Sequence, residues 1–331
     1  MKVIIDSAIP FIRGIVEPWA EVVYCSGVDI NKEIVRDADA LIIRTRTHCN
    51  RELLEGSKVC FIATATIGRD HIDEEYCHTA DITVASAAGC NARGVLQWVA
   101  ATLKHITSTD GKQPQDYTLG VVGVGNVGSL IVEYARHWGF NVLMCDPPRH
   151  EREGGDFLPI EKVARQADII TFHTPLDATT RHLVNDNLLV IMPPHAVIIN
   201  ASRGAVVDNV AVANSSHRYA FDVWENEPNL DTTILQNAML ATPHIAGYSL
   251  QGKANATAMV INALSQHFNL PLTDWHPTDV VRTTPLLIDW SAMCATIDDY
   301  CPIWKETQLL KSSPDTFEAQ RNNYNYRTEY F

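Results

Sequence analysis

The sequence predicts an α/β protein built on two doubly wound parallel sheets, closed by a small C-terminal segment. Three observations lead there. Short β-branched runs alternate with helix-compatible stretches, the rhythm of βα units around a parallel sheet. That rhythm occurs twice, on either side of a long helical pattern and a polar turn. The chain of 331 residues also exceeds the roughly 250–300 residues at which a single core stops growing, so two lobes are expected.

Taken in order, the first set of strands is "KVIID", "EVVYC", "ADALIIRT", "VCFIATAT" and "DITVASA". From about Asn91 to Thr107, "NARGVLQWVAATLKHIT" places Val95, Trp98, Val99, Thr102 and Ile106 at helical spacing. The polar "STDGKQPQD", with Gly and Pro, reads as a surface turn. A second set follows: "YTLGVVGVG", "FNVLMCD", "ADIITFHTP", "AVIINAS", "YAFDVW" and "AMLATPH". A helix then runs through "QGKANATAMVINALSQHF" to a boundary at "NLPLTDWHP". The remaining residues, ending in "RNNYNYRTEYF", are too few to bury a core alone, so they are expected to dock on something, such as a second subunit.

Composition excludes several classes of partner. With 46% apolar and 20% charged residues the chain is of ordinary globular type. A formal charge of −13 speaks against the broad basic face that nucleic acid or anionic membrane requires. The eight cysteines form no C-x-x-C pair and no zinc-type Cys/His spacing, so no metal is expected and the thiols read as free in a reducing cytoplasm. The start "MKVIIDSAIPF" lacks the apolar core of a signal peptide, and no apolar stretch approaches the ~20 residues of a membrane helix.

The strongest motif is "LGVVGVGNVGSLIVEYARHWGF", where Gly123, Gly125 and Gly128 form G-x-G-x-x-G directly after an apolar strand. Val127, Ile131, Tyr134 and Trp138 then share one helical face that stops at Gly139, a natural C-cap. The first glycine permits the tight turn, the second lets a pyrophosphate approach, and the third packs helix on strand. Phosphates would meet the N–H groups opening the helix at Asn126 and Val127, at the positive end of its dipole. Asp146, eighteen residues past Gly128 and at the end of the next strand, would accept from a ribose diol and repel a 2′-phosphate. NAD is therefore expected over NADP, with FAD or a regulatory nucleotide as weaker candidates. Asp146 also reads as a helix cap or turn residue in "DPP".

Three later strands end in polar clusters: "IINASRGAVVD" with Arg203, "FDVWENEP" with Asp222, Glu225 and Glu227, and "TPHIAGY" with His244 and Tyr248. Oxidising a 2-hydroxy acid needs a cation for its carboxylate, a base for its hydroxyl proton, and a carboxylate to hold that base. Arg203, His244 and Glu227 are residues of those types. Each also has a structural reading: a surface arginine, a solvated loop acid, and an imidazole bonded to backbone. A phosphorylated substrate draws support from "IIRTRTH", with Arg44, Thr45, Arg46 and Thr47, and from "TATIGRDH", with Thr64, Thr66 and Arg69. His71 and His173 read as structural or cofactor-neighbouring groups.

In this order, "GVGNVG", "HTPL", "NASRGAVVD", "FDVWENEP" and "TPHIAGY" resemble the D-isomer-specific 2-hydroxyacid dehydrogenase family. More narrowly, "ATATIGRDHID", "AAGCNA", "LMCDPPR", "RGAVVDN", "TPHIAGYSLQGKA" and "FEAQRNNY" are similar to its branch that oxidises 4-phospho-D-erythronate with NAD, in pyridoxal 5′-phosphate biosynthesis. The resemblance implies a flavodoxin-like substrate-binding domain over 1–90, completed by 250–271. It implies an NAD-binding Rossmann domain over 91–249 and a dimerisation segment over 272–331, hence a homodimer. Arg203, Glu227 and His244 are implied as catalytic residues. Asp146, Thr174, Ala201, Ser202, Arg203, Asp222 and Gly247 are implied as NAD contacts, and Thr45, Thr66 and Tyr248 as substrate contacts, to which Arg44 is added from its position.

The chain is shorter than the family pattern between Arg203 and Glu227, so the helix before "YAFDVW" should be clipped or its turn altered. The sequence leaves open which of Arg44, Arg46, Arg69, Arg321 and Arg327 meets a substrate phosphate; Arg321 or Arg327 is expected to reach a partner's pocket. Sister activities on 3-phosphoglycerate, glycerate or lactate share the same residue types. An NAD-sensing co-regulator or scaffold is the reading from another class.

Overall fold

The computed structural model describes residues 1–331. The chain divides into two compact units, residues 1–91 with 250–282 and residues 92–249 with 283–331.

The first unit carries a parallel sheet in the order β2-β1-β3-β4-β5. Its strands are β1 (Lys2–Asp6), β2 (Glu21–Cys25), β3 (Ala40–Ile43), β4 (Phe61–Thr64) and β5 (Thr83–Ser86). Ile4, Leu41 and Ile62 pack on one face with Val35, Leu54 and Cys77; Val3, Ile5 and Ile42 pack on the other with Val260, Ile261 and Leu264 of the helix Leu250–Phe268. Burial on both faces explains why these strands are continuous apolar runs rather than alternating ones. Asp73 caps the helix Glu74–Thr79, accepting from Tyr76 N at 2.9 Å.

The second unit is a six-stranded parallel sheet in the order β11-β10-β9-β8-β6-β7. Here β6 is Thr118–Val122, β7 Asn141–Cys145, β8 Ile169–Phe172, β9 Val197–Asn200, β10 Arg218–Phe221 and β11 Leu240–Ala241. The strand order reverses at β6, since β7 lies on one side of it and β8 on the other. Such a reversal opens a crevice at the carboxyl ends of the strands, where ligands of α/β sheets bind. The expected helical face of Val95, Trp98, Val99, Thr102 and Ile106 is buried, and so are Leu96 and Leu103. That helix, Ala92–Asp110, runs past Thr107 into the polar stretch and stops at Gly111, whose φ of +67° is left-handed. The helix Asn126–Trp138 ends at Gly139 with φ +97°, as its C-cap position requires. No helix is long and apolar enough to cross a membrane.

The C-terminal segment docks on the second unit of its own chain. Met293, Ile297, Cys301 and Ile303 join the core beside the helix Ala92–Asp110, while Leu310 and Phe317 join the core on the other face. Trp138 Nε1 donates to Ile288 O at 2.8 Å, and Ala241 N donates to Thr307 Oγ1 at 3.0 Å. The last residue, Phe331, is fully buried against Tyr134, Trp138 and Tyr330. Phe331→Ala should destabilise this unit by about 3–5 kcal/mol, as for a core phenylalanine. Urea unfolding with a loss near zero would show that this ring is not packed.

Candidate active site

The site of the second unit is assembled around Asp222, the residue after β10. Its carboxylate accepts from Thr242 Oγ1 at 2.6 Å, Ile245 N at 2.8 Å and Ala246 N at 2.9 Å, and its carbonyl accepts from His244 N at 2.7 Å. Burial pushes this carboxyl above its ordinary range, while His244, Thr242 and the two amides pull the other way. The turn after β11 is thereby tied to the end of β10. His244 itself has φ +57°, a left-handed conformation that a non-glycine residue adopts only when its surroundings hold it there.

Arg327 holds the same turn from its carbonyl side. Its guanidinium donates to Ile245 O at 3.0 Å, to Gly94 O at 2.8 Å and to Ala246 O. It is buried, and Ser249 pairs with it in a parallel bridge. The expectation that Arg327 reaches a partner's pocket is corrected here: its terminal nitrogens are spent on backbone of its own chain.

His244 Nδ1 meets Glu227 Oε1 at 2.5 Å, and Trp224 N donates to the other oxygen, Oε2, at 3.2 Å. Burial raises the Glu227 carboxyl, but His244, Arg321 and the Trp224 amide outweigh it and hold the group below the ordinary carboxylate range. A carboxylate only accepts, so Nδ1 carries the hydrogen, and in the neutral ring Nε2 holds the lone pair. No protein atom bonds Nε2.

Arg203 follows β9. Asn200 Oδ1 accepts from Ser202 N at 3.1 Å and Ser202 Oγ at 2.8 Å, and Asn200 Nδ2 donates to Arg203 O at 2.9 Å, shaping the turn that presents the arginine. Gly204 makes this arrangement possible: a Cβ there would lie 2.0 Å from Trp224 O. The "SRG" and "WENE" segments therefore touch through backbone. The helix between them is short, Asn209–Ala213.

The glycine-rich turn lies after β6. Gly123 has φ +82°, and a Cβ on it would lie 2.7 Å from His173 O; one on Gly128 would lie 2.0 Å from Gly123 O. Around Gly125 there is open space, on a cleft of about 450 Å³ that includes Asn126, Ser129 and Arg149. Asp146 takes the cap role read from its sequence context and also ties down the glycine turn. Oδ1 caps the helix Pro147–Glu153 at Arg149 N, and Oδ2 clips Val124 N at 2.8 Å. Sequence reasoning missed Arg149, whose Nη1 donates to Val124 O at 2.6 Å and buttresses the turn from outside.

Thr174 Oγ1 and His173 Nδ1 are buried without a partner in the chain, beside the glycine turn. Orphaned polar atoms at this place, with the open Gly125, fit a dinucleotide that supplies the missing partners. His173 Nε2 is engaged by Thr171 Oγ1 at 2.8 Å, and burial pushes the ring down to about 3, so it stays neutral.

In the first unit, Thr45 is exposed after β3, and Arg44 Nη1 donates to Ala8 O at 3.3 Å. Thr66 Oγ1 lies 2.7 Å from Thr64 Oγ1 after the neighbouring β4, and Thr64 contacts His71 Nε2 at 3.1 Å. Arg69 pairs with Glu74 at 3.1 Å in a surface ion pair.

Residues 90–246 match the model of the D-isomer specific 2-hydroxyacid dehydrogenase, NAD binding domain, so the cofactor is NAD. The fold is similar to D-lactate dehydrogenase from Aquifex aeolicus (TM-score 0.68, 21% identity, 81% of this chain and 96% of that one). It is likewise similar to 3-phosphoglycerate dehydrogenase from Entamoeba histolytica (TM-score 0.68, 24% identity, 84% and 98%). Erythronate-4-phosphate dehydrogenase of Bacteroides thetaiotaomicron is 45% identical over 99% of this chain and 97% of its own length. That of Ectopseudomonas mendocina is 43% identical over 99% and 86%. With identity of this level along nearly its whole length, the chain belongs to the D-isomer specific 2-hydroxyacid dehydrogenase family, in the group of the erythronate-4-phosphate dehydrogenases.

Proposed function

We propose that the protein oxidises 4-phospho-D-erythronate to 3-hydroxy-2-oxo-4-phosphooxybutanoate, in the pathway to pyridoxal 5′-phosphate. The observation that carries the reaction type is the His244–Glu227 pair at 2.5 Å with Nε2 left open. The substrate rests on the names of the near-full-length relatives. When bound, NAD supplies the hydride acceptor. Gly123, Gly125, Asn126, Val127 and Gly128 cradle its pyrophosphate, and Asp146, Thr174, Ala201, Ser202, Asp222 and Gly247 hold the rest.

Arg203 grips the substrate carboxylate through its fork, and His244 Nε2 takes the proton from the 2-hydroxyl. The positive charge that forms on the ring lies against Glu227, whose carboxyl, held below the ordinary range, stays ionised and ready to balance that charge. Thr45, Thr66, Arg44 and Tyr248 make the remaining substrate contacts. His173 is unsuited to the base role, because burial holds it neutral and Thr171 occupies its Nε2. We further propose a cytoplasmic homodimer joined through residues 272–331. Eight cysteines outside any disulfide support the compartment, and exposed Leu286, Leu287, Trp304 and Leu309 support the interface.

Purified protein with NAD should turn over 4-phospho-D-erythronate with a higher kcat/KM than 3-phosphoglycerate, glycerate or lactate; a clear preference for any of these rejects the substrate assignment. His244→Ala should lower kcat by about 10²–10⁴-fold, the usual share of a general base. A near-normal value would return His244 to a structural role. His173 yields a pH prediction. Its folded value, about 3, lies below the unfolded one, so its penalty is absent above the unfolded value and grows as pH falls toward 3. The protein should therefore lose stability below pH ~6.5 by up to about 1.4 kcal/mol per pH unit, and His173→Gln should flatten that slope. Equal slopes for the two proteins in urea titrations between pH 6 and 4 would contradict this.

A further inference from the structure

The C-terminal segment brings a second arginine, Arg321, to the site. It sits in the helix Phe317–Asn322, and its Nε donates to Tyr248 Oη at 3.1 Å. The guanidinium carbon is 6.0 Å from the centre of the Tyr248 ring, and the tyrosine is flanked by Tyr324 and Tyr326 at 6.3 and 6.1 Å between ring centres. Arg321 is close enough to Glu227 and Asp222 for their charges to stabilise its own.

The two tail arginines are employed differently. Arg327 spends its terminal nitrogens on carbonyls of the catalytic turn, on Gly94 O and on Tyr324. Arg321 makes one hydrogen bond, through Nε, and neither terminal nitrogen has a partner in the chain. Its side chain is half-buried rather than solvated, so the cation has given up water without gaining a carboxylate in hydrogen-bonding contact. An arginine in that condition is set to receive an anion with its planar fork. Arg203 already stands beside the catalytic loop on another strand end, so a substrate with a single carboxylate has no call for a second guanidinium. One with an anion at each end does.

We infer that Arg321 binds the phosphate of the substrate, with Tyr248 aligning its guanidinium, and thereby sets the preference for phosphorylated over unphosphorylated 2-hydroxy acids. This rests on the reading of the site as a 2-hydroxyacid oxidation centre. It also corrects the expectation that Arg321 serves a partner's pocket: the residue serves the Tyr248 of its own chain.

The test compares wild type with Arg321→Gln and Arg321→Lys in the full-length protein. The ratio of kcat/KM for a phosphorylated acid over its unphosphorylated counterpart (4-phosphoerythronate over erythronate, 3-phosphoglycerate over glycerate) should fall about 10–100-fold in Arg321→Gln, the loss expected for charge-assisted hydrogen bonds. Arg321→Lys, which keeps the charge without the fork, should fall between. In parallel, the NADH-bound protein is titrated with inorganic phosphate, read by NADH fluorescence. Phosphate should bind wild type and be weakened in both variants.

An unchanged ratio, or unchanged phosphate affinity, overturns the assignment even if overall activity drops, because a merely structural arginine would depress both substrates alike. Should Arg321→Gln not fold, Arg321→Lys is read by the same two criteria. If wild type fails on 4-phosphoerythronate while its phosphate affinity still depends on Arg321, the proposed substrate is wrong and the phosphate site stands.

Discussion

Opposite charges on the two sides of one turn organise the second unit. The carboxylate of Asp222 takes the amides of Ile245 and Ala246, and the guanidinium of Arg327 takes the carbonyls of the same two residues. Hydrogen bonds to charged groups are worth about 1.5–3 kcal/mol each, enough together to offset the roughly 1–3 kcal/mol that a left-handed non-glycine residue costs. His244 can therefore sit at φ +57° with its ring directed by Glu227 rather than by backbone preference. Removing either charge would leave the other buried without its counterpart, which is costlier than losing a surface ion pair.

The parallel topology explains why so many functional groups meet. Strands β6, β8, β9, β10 and β11 all run the same way, so the residues that follow them emerge at one edge of the sheet. Gly123, His173, Arg203, Asp222 and His244 each lie within a few residues of such an end. Backbone approach at Gly123 and Gly204, where a methyl group would collide with neighbouring chain, draws these loops closer than side chains would allow.

Much of this was legible beforehand, for physical reasons. Strands buried on both faces are continuous apolar runs, so β1, β4, β6 and β9 stand out in the sequence. The glycine spacing and Gly139 also declare themselves, because they answer local backbone demands. The helix end at Asp110 did not, since polar Thr107 and Thr109 continue the helix by bonding back to Lys104 O and His105 O. Least legible were the tail arginines. Arg321 meets Tyr248 across 73 residues and Arg327 meets Gly94 across 233, and no local pattern encodes such separations. Composition pointed to a basic, aromatic tail but not to its destination.

The position of Arg327 has a consequence for biogenesis. A chain emerging from the ribosome at about 5–20 residues per second can pair its strands as they appear. The turn that carries His244 nevertheless waits for its carbonyl clamp, because Arg327 lies 82 residues beyond the Ile245 whose carbonyl it holds. Nascent chains thus carry a catalytic loop that stays unfinished until long after its own strands have been made.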